Sequence, residues 1–339
     1  MNRKKFLASV IPLAAVVNSF GQKNTLQTSD KNNKIPKYLQ KGDTIGITSS
    51  AGYITLADCT DAINIIQGWG YKIKIGSTIG KKYFTFGGTD EERLADFQQM
   101  LDDDTISAIM IARGGYGFVH IIDKIDFTKF IKKPKWLIGF SDVTVLHSHV
   151  SKNYGIASIH SKMCNSFVKP EIAEAAQLET IDSIRKSLSG EKMIYKFAAN
   201  VNNKIGTATG LLVGGNLKTI ESLAASKSDL NTDNKILFVE DTGEYLYSID
   251  RMFYNLKRSG KLNKLAGLIV GGFKIKKDEG GEDFGKTIEE IVLEKVSEFK
   301  YPVCFDFPVG HQKNNFALKC SVEHRLEVVV GECVLKERP

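Results

Sequence analysis

Cysteine is scarce in this chain of 339 residues. The five present, Cys59, Cys164, Cys304, Cys320 and Cys333, are scattered, odd in number and never spaced as Cys-x-x-Cys. That pattern argues against a thiolate zinc site. In an oxidising compartment it leaves room for one or two disulfides, whose partners the spacing does not assign. Charge of one sign is also lacking: 46 Lys and Arg stand against 39 Asp and Glu, a formal +7. The short basic run Lys274, Lys276, Lys277 is answered at once by Asp278, Glu279, Glu282 and Asp283. It reads as a solvated loop and not as a nucleic-acid patch. The apolar run Phe6 to Val17 is interrupted by Ser9 and Pro12 and is too short to span a bilayer. There is no internal repeat and no long low-complexity tract. What is present is 42% hydrophobic and 25% charged residues, enough for two domains with real cores.

The amino terminus has the layout of a secretory signal. Arg3, Lys4 and Lys5 precede the apolar run, and Ser19-Phe20-Gly21 puts small residues, Ser19 and Gly21, at the positions a signal peptidase prefers, with Gln22 as the mature start. Residues 1–21 are therefore expected to be removed on export, and the mature protein to be periplasmic; a cytoplasmic location is the less favoured alternative. No Cys follows the run, so a lipoprotein is not indicated. Loss of three cations leaves 7 − 3 = +4. Residues 22–36 are polar and read as a disordered leader.

Beyond it, apolar runs alternate with helical patterns. Strands are expected at Thr44–Thr48, Lys72–Ile75, Ile106–Ile111 and Trp136–Ile138, and helices at Leu56–Gly68, Asp90–Leu101 and Thr144–Asn153. Strand–helix alternation means a parallel sheet covered on both faces, here an α/β domain over 37–170. A helix, Glu171 to Leu188, leads into a connecting stretch, so that 171–204 is helix and linker. A second unit, 205–339, mixes strands (Lys235–Val239, Leu265–Gly271, His324–Val330) with helices (Leu217–Ala225, Tyr247–Ser259, Thr287–Phe299).

Three places carry chemistry. The run Trp136-Leu137-Ile138-Gly139 ends a strand, Ser141 stands on the bend, and an amphipathic segment begins at Asp142. A serine on a sharp strand-to-helix turn exposes its hydroxyl beside backbone N–H groups. The second Gly of the elbow pattern is replaced by Val143, and a helix N-cap is the alternative reading. A serine needs a base. Of His120, His147, His149, His160, His311 and His324, His311 stands out, in a loop after Phe307-Pro308-Val309-Gly310. His147 and His149 fall within a helix, His160 ends an apolar segment, and His324 is expected to face solvent from a strand. For the acid that orients the base, Glu240 ends the buried run Ile236 to Val239, while Asp241 or Glu244 is free to cap the next helix.

Here the chain resembles the LD-carboxypeptidase family of serine peptidases, which includes the microcin C self-immunity hydrolases. The resemblance rests on Lys41 to Gly52, on Ala112-Arg113-Gly114-Gly115-Tyr116-Gly117 and on Gly139-Phe140-Ser141-Asp142-Val143-Thr144. It continues at Gly214-Gly215-Asn216-Leu217, Val239-Glu240-Asp241, Tyr247 to Met252, and Pro308-Val309-Gly310-His311. It runs from about Ile35 to about Val330. It implies a Rossmann-like first domain and a swivelling β/β/α second domain, with the active site in the cleft between them. It further implies Ser141 as nucleophile, His311 as base, Glu240 as orienting acid, and an oxyanion hole from the backbone of Asp142 and the Gly114-Gly115 turn. The implied reaction removes a terminal D-amino acid from an L-centre of a murein tetrapeptide, without metal or organic cofactor. Arg113 is a candidate for the substrate carboxylate, with a structural ion pair the alternative. Phe84, Tyr116 and Tyr245 are candidates to line the cleft, with core packing the alternative; Tyr116 is grouped with Arg113 as substrate-binding. The chain departs from the family at His160-Ser161-Lys162-Met163, where His-Gly-Pro-Met is common, and at Leu318-Lys319-Cys320, where Pro-Leu-Gly is common. Lys162 reads as a solvated cation, with a role near an acidic substrate group as the alternative. These departures leave open hydrolysis of another amide, such as a peptidyl-nucleotide antibiotic. An exported protein that binds wall peptides without cleaving them is the reading from another class. Oligomeric state, including a homodimer, stays open, as does a lid role for the Gly80–Thr89 loop.

Overall fold

Runs rich in β-branched residues, each followed by an amphipathic stretch, set up the first sheet. The computed structural model describes residues 33–277 and 283–338; the signal segment and most of the leader lie outside them. In chain order come β1 (Thr44–Thr48), α1 (Leu56–Gly68), β2 (Lys72–Ile75), α2 (Asp90–Asp102), β3 (Ile106–Ile111), α3 (Thr128–Lys132), β4 (Trp136–Gly139), α4 (Thr144–Tyr154) and β5 (Ser158–His160). These strands pair in parallel in the order β5-β4-β3-β1-β2. The main helices start where the sequence caps them. Thr55 and Thr89 accept from the third residue of α1 and α2, and Asp58 and Glu92 reach back to the cap. A parallel sheet must be covered on both faces. Ile45, Ile47, Trp136 and Ile138 fill one side, and Phe97, Ile109, Ile111 and Leu137 the other.

The chain continues through α5 (Ala175–Ser189), β6 (Ile194–Ala198), β7 (Gly206–Asn216), α6 (Leu217–Ser222), β8 (Ile236–Glu244), α7 (Leu246–Arg258), β9 (Gly267–Ile275), α8 (Ile288–Val296), β10 (Val303–Cys304), β11 (Leu318–Cys320), β12 (Glu323–Val328) and β13 (Glu332–Glu337). The second sheet runs β10-β9-β8-β7-β12-β13-β6. Its β10-to-β7 half is parallel, and its β7-to-β6 half is antiparallel. Together the two sheets give the α/β class expected, with a mixed second sheet.

Several expectations change. The linker Ser189–Lys204 contains β6, which zips onto β13 at an edge. Its Ile-Tyr-Lys-Phe-Ala run is apolar, yet only Tyr195 of its five residues is buried. Helix α5 begins at Ala175 and not at Glu171, because the Glu174 and Gln177 side chains cap its first turn. The segment β11 leaves the second unit and adds an antiparallel strand to the first sheet, Leu318 pairing with His160. His324 is 1% exposed, not solvent-facing. It shares its side of β12 with Leu326 and Val328, and its strand is flanked by neighbours on both edges. All five cysteines are buried and free.

Candidate active site

Strand β4 delivers the serine. Its neighbour Phe140 is fully extended (φ −149°, ψ −171°), and then Ser141 turns to φ +63°. A residue with a Cβ meets its own carbonyl in that region, at a cost of about 1–2 kcal/mol. The chain passes at once through a short 3-10 turn, Ser141–Val143, into α4. The strained serine at a helix entrance is the geometry of a nucleophile elbow, although Val143 occupies the place of the second glycine. His147 braces it from within α4. Its Nε2 lies 2.9 Å from the Gly139 carbonyl and its Nδ1 2.8 Å from Ser158 Oγ. Burial pushes its pKa down to about 4, so it is neutral. His160, at the end of β5, is wholly buried between the rings of Phe140 and Phe238, and neither ring nitrogen has a hydrogen-bond partner among the described residues. Burial drives its pKa well below the usual value, and His147 and His311 add to the effect.

Strand β8 delivers the acid. Glu240 is completely buried and its Oε2 lies 2.5 Å from His311 Nδ1. A hydrogen bond to Nδ1 leaves the other ring nitrogen available for proton transfer, which is what an orienting acid does. The imidazole stands in the loop after β10, 4.9 Å from the Phe140 ring and partly exposed. Gly310 makes this approach feasible. Its φ is +99°, and a Cβ there would fall 2.3 Å from Glu240 Cβ. Asn315 Oδ1 accepts from Gly310 N at 2.9 Å and fixes the loop from its far end. The neighbouring acid has a different task. Asp241 does not cap α7; it accepts from Asn216 Nδ2 and from the backbone N–H groups of Lys218 and Thr242, tying β8 to the start of α6. Burial raises its pKa to about 6.

The glycine turn after β3 meets the serine from the opposite side. A Cβ on Gly114 would lie 3.1 Å from Ser141 Cβ and 3.4 Å from its Oγ. Gly52 N donates to the Gly114 carbonyl at 2.9 Å. Arg93, fully buried, donates to the Gly117 carbonyl at 2.9 Å, and Asp142 Oδ2 accepts from Phe118 N at 2.8 Å. The Asp142 carboxylate thus links the elbow to the turn. Burial raises its pKa to about 6, against the lowering effect of the Phe118 and Gly117 backbone donors. Neither Arg93 nor the Asp142 side chain was singled out from sequence; the available signal for Arg93 was a charged residue, with Asp96, on the helix face that carries Phe97, Met100 and Leu101.

Two cavities open on Ser141. One, of about 400 Å³, is bordered by Arg113, Gly114, Lys162, His311 and Asn315. The other, of about 370 Å³, is bordered by Gly115, Tyr116, Asp142, Asp241 and Thr242. Ser141 and His311 therefore face one space, and Gly115 borders both cavities. Arg113 makes no ion pair among the described residues; its Nη1 donates to the Tyr53 carbonyl at 2.8 Å. Tyr116 is 59% exposed, with its ring 5.1 Å from that of His120, so it borders the cavity and does not fill the core. Phe84 is exposed as well, and Tyr245 stacks on Tyr247. Lys162, expected in solvent, is buried instead, because the chain after β5 runs inside the fold.

A serine held at positive φ above a parallel sheet, opposite a carboxylate-paired histidine, defines a two-sheet α/β hydrolase. Residues 45–161 match the family model of the LD-carboxypeptidase N-terminal domain, and residues 209–326 that of the LD-carboxypeptidase C-terminal domain. The chain belongs to the LD-carboxypeptidase family and is a serine-type carboxypeptidase, a hydrolase. It is 30% identical over 307 residues to the probable murein peptide carboxypeptidase of Bacillus subtilis, covering 89% of this chain and 94% of that one. It is 26% identical to the microcin C7 self-immunity protein MccF of Escherichia coli, over 84% of this chain and 90% of that one. Among solved structures, a muramoyltetrapeptide carboxypeptidase from Oxalobacter formigenes superposes with a TM-score of 0.78 at 26% identity, covering 87% and 99% of the two chains. Membership of a peptidase family removes the reading of a binding protein without catalysis.

Proposed function

We propose that this protein is an LD-carboxypeptidase that releases the terminal D-amino acid from murein tetrapeptides. The observation that carries this reading is the His311–Glu240 pair opening onto the cavity that contains Ser141. In the proposed reaction Ser141 Oγ attacks the amide carbonyl while His311 takes its proton. The tetrahedral oxyanion is received by backbone N–H groups of Asp142 and the Gly114-Gly115 turn. His311 then protonates the departing amine, and the acyl-serine is hydrolysed by water through the same steps. Glu240 holds the imidazole tautomer and stabilises its charged form. No step calls for a metal or organic cofactor. The murein substrate is supported by the names of the relatives from Bacillus subtilis and Oxalobacter formigenes.

The test is incubation with a synthetic murein tetrapeptide and mass detection of released alanine, beside a fluorophosphonate that labels active serines. Release of alanine together with labelling that Ser141→Ala abolishes supports the reading; labelling that survives the substitution overturns it. A second reading, hydrolysis of another amide such as a peptidyl-nucleotide antibiotic, is favoured by the similarity to the microcin C7 self-immunity protein, and the same assay with such a compound compares the two rates. We also propose export, on the strength of Arg3–Gly21. A mature amino terminus at Gln22 in the periplasmic fraction is the expected result.

A further inference from the structure

Lys162 is 4% exposed, and its ammonium makes no hydrogen bond or ion pair with any described residue. Burying an unpaired cation is costly, and such a group normally finds a carboxylate. Here burial alone governs its pKa, lowering it, with no nearby acid to offset the effect. The residue is not walled off in the core. It borders the 400 Å³ cavity with Ser141 and His311. Among the described residues that cavity has a one-sided chemistry: Arg113, Lys162 and Lys274 border it, and no described Asp or Glu does. Asn315, 1% exposed, borders it too, and its Nδ2 is a buried donor without a partner among the described residues. Buried donors without acceptors call for an anionic ligand.

The two cavities at Ser141 are not equivalent. His311 borders the cationic one only. The group that protonates the leaving amine must lie beside the leaving residue. The departing amino acid therefore occupies the cationic cavity, and the acyl portion the cavity beside Tyr116 and Asp241. A terminal amino acid carries a free carboxylate one carbon from the amine that departs. We propose that Lys162 is the receptor for that carboxylate, assisted by Asn315, and that it makes this enzyme selective for peptides with a free C-terminus. This inference rests on the carboxypeptidase reading above and assigns a specificity-determining residue to it.

The test compares a murein tetrapeptide with its C-terminal carboxamide as substrates for the full-length mature protein, Lys162→Met and Lys162→Arg. Amidation removes the negative charge that Lys162 would bind, so the wild type should prefer the acid by about 10- to 100-fold in kcat/KM. In Lys162→Met the preference should fall towards one; in Lys162→Arg a substantial part should return. Methionine fills a similar volume without the buried charge, so thermal melting of that variant should equal or exceed wild type. Equal cleavage of acid and amide by the wild type, or a preference retained in Lys162→Met, overturns the proposal and leaves the peptidase reading intact. If the methionine variant does not fold, Lys162→Gln on the same two substrates decides: a preference retained there overturns the proposal. Cleavage of neither peptide defeats the murein reading and this proposal with it.

Discussion

His311 Nδ1 lies 2.5 Å from Glu240 Oε2, and Glu240 has no exposed surface at all. A carboxylate so placed fixes which imidazole nitrogen carries the proton. In Glu240→Gln the amide can present its N–H to Nδ1 and select the wrong tautomer. The expected loss in kcat is about 1,000- to 10,000-fold with KM little changed. Steady-state kinetics on a murein tetrapeptide check this; a loss below tenfold would mean that the pair is structural.

The backbone of Ser141 stores strain at φ +63°. Glycine adopts this region freely, whereas alanine does not. Both Ser141→Gly and Ser141→Ala remove the hydroxyl, but Ser141→Gly should be the more stable of the two by about 1 kcal/mol. Denaturant unfolding of the two variants measures the difference. The reverse order would show that the elbow is relaxed.

Gly310 has both a positive φ and no room for a methyl group, with Glu240 Cβ 2.3 Å from where one would stand. Gly310→Ala must displace the His311 loop or the acid. A destabilisation of about 2–4 kcal/mol is expected, with kcat falling at least as far as in Glu240→Gln. Equilibrium unfolding and kinetics together test it: an active, stable Gly310→Ala protein would mean that the two side chains separate at no cost.

Asp142 couples stability to pH. Its pKa is raised from 3.8 to about 6 by burial, so between those values the folded protein holds a proton that the unfolded chain has released. Stability from this group is therefore fully present below pH 4, falls as pH rises through the window, and is level above it. Asparagine can still accept from Phe118 N and has no charge to bury. The stability of Asp142→Asn relative to wild type should rise between pH 4 and 6, by about 3 kcal/mol at most, and then stay constant. Unfolding at a series of pH values reads the difference; a flat difference across the window would contradict it.

The first sheet was open to reading because its signals are local. At Thr44–Thr48, Leu56–Gly68, Lys72–Ile75 and Ile106–Ile111 the run of apolar residues and the capping Thr set the boundaries seen in the fold. Ser141 stands just past the end of β4, as its sequence context suggested, but Glu240, expected at a strand end, lies in the middle of β8, and His311 stands in the loop well after β10. Glu240 and Asp241 could be separated only in part. Their neighbours in sequence are the same, and only the fold shows one turned to His311 and the other to Asn216 and Lys218. Strands β6 and β11 were missed because an edge strand with one buried side chain, and a three-residue strand that crosses to the other sheet, are defined by pairing partners far away in the chain.

By itself the sequence determined most of the strands and helices of the first sheet and marked Ser141, Glu240 and His311 as candidates, since hydrophobic period, caps and glycines act over a few residues. Tertiary structure alone decided that Lys162 and His324 are inside the protein, that Asp142 and Arg93 clamp the glycine turn, and that one cavity at Ser141 is lined by cations. Burial and electrostatics depend on what packs against a residue from distant parts of the chain, and no local pattern encodes that.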